Sequence, residues 1–180
     1  MLDYELSLKN SWNVVKENIV TFIVGLLIAV IGSILIVTIA PLVYGFTSMA
    51  VKGARGEAIE IGDVFEGFKK ENIIRSWTFM IIYLIIVGVL GQIASILSTI
   101  VGILFMFTMP LLVIKEGLSG IEAITESVEI VKTAPVESII VYVITLVLNM
   151  IGIFLLGIGV LITAPISAVF LAYATFEMAE

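Results

Sequence analysis

The chain has 180 residues, 61% of them hydrophobic and only 13% charged, with a mean hydropathy of +1.23 and a net charge of −6. A soluble domain is about half apolar and about a quarter charged, and a chain this short cannot hide the excess in one core, so a soluble globular domain is excluded and lipid is the expected solvent. Cys and His are absent, which excludes disulfides, thiol nucleophiles and Cys or His metal sites, and the acidic balance argues against nucleic acid and against anionic headgroups as the main partner.

Every Asp, Glu, Lys and Arg falls in one of four blocks, residues 1–17, 52–75, 115–137 and 177–180. The stretches between them, residues 18–51, 76–114 and 138–176, contain no ionisable acid or base and are 34, 39 and 39 residues long. A membrane span needs about 20 apolar residues, and a single helix of 39 would run about 58 Å, almost twice a hydrocarbon core of about 30 Å. Each stretch is therefore predicted to fold back as a helical hairpin, although the first could be one span plus a half-span after Pro41. The expected fold is an all-α integral membrane protein of six segments, alternatively five, in three hairpins. All four charged blocks then lie on one side. By the positive-inside rule that side is cytoplasmic, with both termini inside and the plasma membrane as the expected location.

Residues 1–17 read as an amphipathic cytoplasmic segment with the stripe Leu8, Trp12 and Val15. Asp3, Glu5 and Lys9 ahead of a long apolar stretch do not have the shape of a signal peptide. In the first hairpin, Gly32 and Ser33 mark the turn. Residues 57–72 form the second amphipathic segment, where Asp63 and Glu66 have capping-box spacing. Trp77 then stands at the membrane boundary, as Tyr142 and Tyr173 do later. The second turn is expected between Ser98 and Gly102. Residues 119–134 form the third amphipathic segment: Ser119 and Glu122 make a capping box, and Ile121, Ile124, Val128 and Val131 make an apolar stripe suited to lie on a membrane surface. Gly157 to Gly159 mark the last turn.

The three units resemble one another. Trp12 to Lys16, Phe65 to Lys69 and Val128 to Lys132 each place two apolar residues three apart before a Lys, and each charge-free stretch carries one proline, Pro41, Pro110 or Pro165. Internal repeats of this kind are common in transport folds.

Catalytic chemistry is not expected. Gly117-Leu118-Ser119-Gly120 matches the motif around the nucleophile of rhomboid proteases, but a Ser nucleophile needs a base, the chain has no His, and a helix cap accounts for Ser119. The membrane stretches offer only Gln92 and Asn149 as strong polar groups and possible pore lining. Acids crowd the linkers instead. Glu57, Glu60 and Asp63 are the candidate site for a divalent cation such as Ca or Mn, and Glu122, Glu126 and Glu129 are the candidate vestibule, because carboxylate rings in an oligomer concentrate cations. No other cofactor is expected.

Two groups of residues carry a family resemblance. One is Pro41-Leu42-x-x-Gly45 followed by Arg55-Gly56-Glu57 and Asp63-x-Phe65-x-Gly67-Phe68; the other is Glu122-Ala123-Ile124-x-x-Ser127 leading to Lys132, Pro165 and Tyr173. With these the chain resembles uncharacterised prokaryotic multi-pass membrane families, classed as domains of unknown function, and the membrane domain attached to some glycerophosphodiester phosphodiesterases. The resemblance implies the multi-pass topology and supplies no catalytic residue. The expected function is a homo-oligomeric channel or facilitator for cations with an acidic cytoplasmic vestibule. The alternative is a non-transporting structural or lipid-binding membrane module.

Overall fold

The computed structural model describes residues 2–93, 95–155 and 157–179. The described residues form helices and connecting turns, with no strand among them. In chain order the helices are α1 (Tyr4–Glu17), α2 (Ile19–Gly32), α3 (Ile39–Ala54), α4 (Lys70–Ile93), α5 (Ser95–Phe105), α6 (Thr108–Ile114), α7 (Gly120–Thr133), α8 (Pro135–Phe154) and α9 (Val160–Met178). A one-turn 3-10 segment, Ile36–Thr38, precedes α3, and a longer linker 3-10 helix, Ile61–Phe68, precedes α4. Five helical stretches are long and apolar enough to cross a membrane: Ile36–Ala54, Lys70–Gln92, Ile96–Ile114, Pro135–Phe154 and Val160–Met178. A sixth exists if α1 and α2 count as one broken span, but they meet at 87°.

Each break has a local cause. Asn18 ends α1: its amide Nδ2 and its backbone N–H both donate to the Val14 carbonyl, at 3.0 and 3.2 Å. The α5–α6 break falls at residues 106–107, four residues ahead of Pro110, where the proline ring crowds the preceding turn and offers no N–H. The α8–α9 turn uses Gly157 at φ 76°, a left-handed conformation that glycine adopts without strain, so the last turn stands where the sequence places it. The second turn does not. Residues 98–102 lie within α5, so the Ser98–Gly102 run is helical and forms no turn. Gly102 lies beside the Tyr142 ring of α8, whose nearest atom would stand in ordinary contact, 3.6 Å from an added Cβ.

The three proline-bearing helices α3, α6 and α9 touch one another at the centre, and Pro41, Pro110 and Pro165 are all buried. Each amphipathic segment packs on one of them. The linker 3-10 helix lies on α3, α7 lies on α6, and α1 lies on α9. Around this trio α2 packs on α3, α4 on α5, and α8 on α9. The linker 3-10 helix comes closest, because Gly45 faces the Val64 carbonyl and Gly67 faces the Pro41 carbonyl with no space for a Cβ at either position.

The amphipathic helices turn small residues inward. α1 buries Ser7, Ser11 and Val15 while Trp12 stays exposed, and α7 buries Gly120, Ala123, Ser127, Ile130 and Val131 while Ile121 stays exposed. The apolar stripes read from the sequence are divided: Trp12 and Ile121 are exposed, Leu8, Ile124 and Val128 are half-buried against the core, and Val15 and Val131 are buried. Small side chains let the backbones approach, which is how helices associate when the surroundings are as apolar as their own surfaces.

Candidate functional site

Two of the charged blocks, residues 52–75 and 115–137, meet beside α3, α4 and α6, and a cavity of about 380 Å³ opens there. Lys52, Arg55, Lys69 and Arg75 supply its positive groups, and Glu57, Glu66, Glu71 and Glu116 its negative ones. Tyr44 and Ser48, one turn apart on α3, form its polar floor.

The cavity wall is built around the C-terminus of α6. A helix end leaves several carbonyls without intrahelical donors, and here side chains from two other helices supply them. Arg75, in the second turn of α4, donates from Nη2 to the carbonyls of Leu112 (2.6 Å) and Lys115 (2.8 Å) and from Nε to that of Leu118 (2.5 Å). Its Nη1 donates to Asn72 Oδ1 at 3.2 Å. Tyr44 donates its hydroxyl to the Leu112 carbonyl at 3.3 Å, and Arg55 donates from Nη2 to that of Ile114 at 3.4 Å. Two guanidiniums at a helix C-terminus also interact favourably with its dipole. Arg55 further rests over the Phe176 ring of α9, 5.3 Å from its centroid, within range of a cation–π contact.

The acids expected to hold a cation have other roles within one chain. Asp63 is buried; its Oδ1 accepts from Lys52 Nζ at 2.5 Å and its Oδ2 from the Glu60 backbone N–H at 2.9 Å. It is the third helical residue of a capping box whose first member is Glu60. The expected Asp63–Glu66 box is thus displaced by three residues, since the same spacing fits both pairs. Glu66 instead pairs with Lys69 at 2.5 Å. Glu57 is exposed and stands 3.9 Å from Arg55 Nη1, and the Glu60 residue as a whole is also exposed. Among the described residues no three carboxylates converge as a metal site.

The second acidic group is likewise divided. Ser119 and Glu122 form the expected capping box: the Glu122 N–H donates to Ser119 Oγ at 3.2 Å, and the Ser119 N–H donates to Glu122 Oε2 at 2.8 Å. These bonds hold the Glu122 carboxyl below its usual range, the Ser119 backbone contributing most. Glu126 pairs with Lys115, and Glu129 is exposed. Gln92 and Asn149 are not used alike. Gln92 is exposed at the last turn of α4, whereas Asn149 joins α8 to α9, donating to the Thr145 carbonyl at 2.8 Å and to Ser167 Oγ at 3.2 Å.

Arg75 is the last charged residue before the second apolar stretch, which is the available signal for it. Tyr44 is marked only as a polar group close to Pro41. Ser127, the last position of the Glu122-Ala123-Ile124-x-x-Ser127 group, donates to the Leu104 carbonyl at 2.7 Å and fastens α7 to α5. No family model, curated protein or solved structure matches the chain.

Proposed function

We propose that the chain is a non-transporting, lipid-binding membrane module that holds the zwitterionic headgroup of a phospholipid in the charged-end cavity. In this reading the helices form three hairpins that return to one side, the cytoplasmic side of the plasma membrane, as in the membrane families the motifs resemble. One observation carries the reading. The polar cavity stops at Tyr44, and beyond it the central trio is filled by Ala40, Phe107, Leu111, Leu112, Phe170 and Ala174, all with little or no exposure. A buried apolar plug supports binding at the cavity over passage through the protomer. The lining has equal numbers of basic and acidic side chains, four of each. That balance suits a ligand with both signs of charge better than a bare anion or cation.

An oligomeric cation channel is the second reading, and the exposure of Glu57, Glu60 and Glu129 favours it. Its pore would run between copies, with those carboxylates at its mouth and Ca or Mn as possible ligands. One pair of measurements decides. In native mass spectrometry the protein should retain phosphatidylethanolamine in preference to phosphatidylglycerol, and the double variant Lys69→Gln, Glu71→Gln should lose that preference. In vesicles the wild-type protein should pass no more monovalent or divalent cation than empty vesicles leak. Cation flux that falls with Glu57→Gln and Glu60→Gln would overturn the module and establish the channel.

A further inference from the structure

The turn between α2 and α3 is built differently from a turn that faces water. Ile34, Leu35, Ile36 and Val37 follow one another there and are 77%, 64%, 72% and 72% exposed. The polar groups among them are turned back onto the chain. Ser33 donates its hydroxyl to the Ala29 carbonyl at 2.6 Å, and the Thr38 hydroxyl lies 2.5 and 2.6 Å from the carbonyls of Gly32 and Leu35. The backbone N–H groups of Ser33, Ile34, Leu35 and Thr38 donate to the carbonyls of Ala29, Ile31, Gly32 and Leu35. The Val37 carbonyl is satisfied from outside the turn. Val37 lies four residues before Pro41, which has no N–H to return, yet Trp77 Nε1 donates to the Val37 carbonyl at 3.1 Å. A polar lid for an orphaned carbonyl is needed where water cannot reach it.

The depth of the turn follows from the same bond. Trp77 lies early in α4, which continues to Ile93, sixteen residues further (93 − 77), or about 24 Å of helix. α2 has 14 residues, about 21 Å of helix against a hydrocarbon core of about 30 Å. α3 is longer, but its C-terminal part lies beside the charged linker. Lys52 pairs with Asp63, Gly45 abuts Val64, and Tyr44 shares the Leu112 carbonyl with Arg75. The linker also reaches the start of α3, where Gly67 abuts Pro41, so α3 adds little depth beyond the turn.

We propose that the α2–α3 hairpin is re-entrant: its tip, residues 33–38, ends within the bilayer and is covered by lipid acyl chains, so the hairpin enters and leaves through one face. Four apolar residues without a polar partner to seek, and a turn whose hydroxyls and freed carbonyl are satisfied within the protein, suit hydrocarbon and no aqueous surface. α4, the α5–α6 pair, α8 and α9 then make the full crossings.

The proposal rests on membrane embedding, which resistance of the wild-type protein to carbonate extraction reports separately. The chain has no Cys, so single-cysteine variants are clean probes. Leu35→Cys and, as a second position, Ile34→Cys are reconstituted in vesicles made leaky so that an impermeant maleimide reaches both faces. Ala58→Cys, exposed on the charged linker, should label fully. The two tip cysteines should remain unlabelled until the membrane is dissolved in denaturing detergent, and nitroxides on them should collide with oxygen but not with a water-soluble nickel complex. Labelling of the tip cysteines in intact membranes at the rate of Ala58→Cys, or nickel contact at the tip, would overturn the proposal and place the turn at an aqueous surface.

Discussion

Arg75 carries a positive charge at the edge of an apolar bundle, and three carbonyls and an Asn side chain receive its donors. Hydrogen bonds to a charged group are worth about 1.5–3 kcal/mol each and cost more when one partner is left buried alone. Arg75→Met should therefore lower the stability of the detergent-solubilised protein by about 2–3 kcal/mol, discounted for its half exposure, read as a lower unfolding midpoint. Arg75→Lys should recover only part of the loss, because an ammonium is a point charge that cannot fork across three carbonyls. A midpoint for Arg75→Met equal to that of the wild type would show that the α6 terminus is held by Tyr44 and Arg55 alone. Little of this residue-level chemistry was legible in the sequence. Arg75 reads there as one more boundary charge, and Tyr44 as a polar group of a membrane stretch. Their shared target, the Leu112 carbonyl, is distant in sequence from both and is a backbone atom, to which no side-chain motif points.

At the level of elements, spacing was informative wherever a bond is local. The Ser119–Glu122 box could be read because both its bonds close over three residues. The Glu60–Asp63 box was misplaced because the same spacing occurs twice in succession. The Ser98–Gly102 run was misread for a third reason: small residues sit within an apolar helix as well as in a turn, and residues 98–102 lie inside α5. The stripes of α1 and α7, expected to lie on a membrane surface, are shared between core and surface: Val15 and Val131 are buried, whereas Trp12 and Ile121 are exposed. Ser119 gives α7 a pH dependence whose sign can be worked out. Its bonds stabilise the ionised Glu122, so the folded-state pKa lies below the ordinary carboxylate value. The contribution is fully present above that ordinary value and is lost as pH falls through the lowered one. Wild type should thus be more stable than Glu122→Gln at neutral pH, and the difference should shrink as the solution is taken to acid. A stability difference that stays constant with pH would mean that the charge of Glu122 contributes nothing to the cap.

For the whole molecule, the all-helical architecture was visible in the long charge-free stretches between the four charged blocks, while the order of packing was not. The first two proline helices each receive the amphipathic segment next after them in the chain, and α9 receives α1. The contacts thus run around the bundle as a cycle, linker on α3, α7 on α6, α1 on α9. Three short matches ending in Lys gave the period of this arrangement but could not show that the last unit turns back to the first, since sequence order has no closure.

That closure makes the position of the chain break arbitrary. Leu2 and Ala179 both pack into the larger apolar cluster and α1 lies on α9, so a Gly-Ser bridge of suitable length is the design that joins them, and new ends can be opened between Gly56 and Glu57, where Gly56 has φ 73°, no neighbour near its missing Cβ, and solvent around it. The rearranged protein would begin with the linker 3-10 helix and finish with α3, keeping every helix on its present neighbour. It should insert and give the same near-ultraviolet circular dichroism as the parent, with an unfolding midpoint lowered only modestly by the freed ends. Opening the chain between Val43 and Tyr44 should abolish folding, because it severs a central helix. Were both rearrangements to fold equally, the ring of contacts would be incidental, and native order along the chain, not closure, would be holding the three units together.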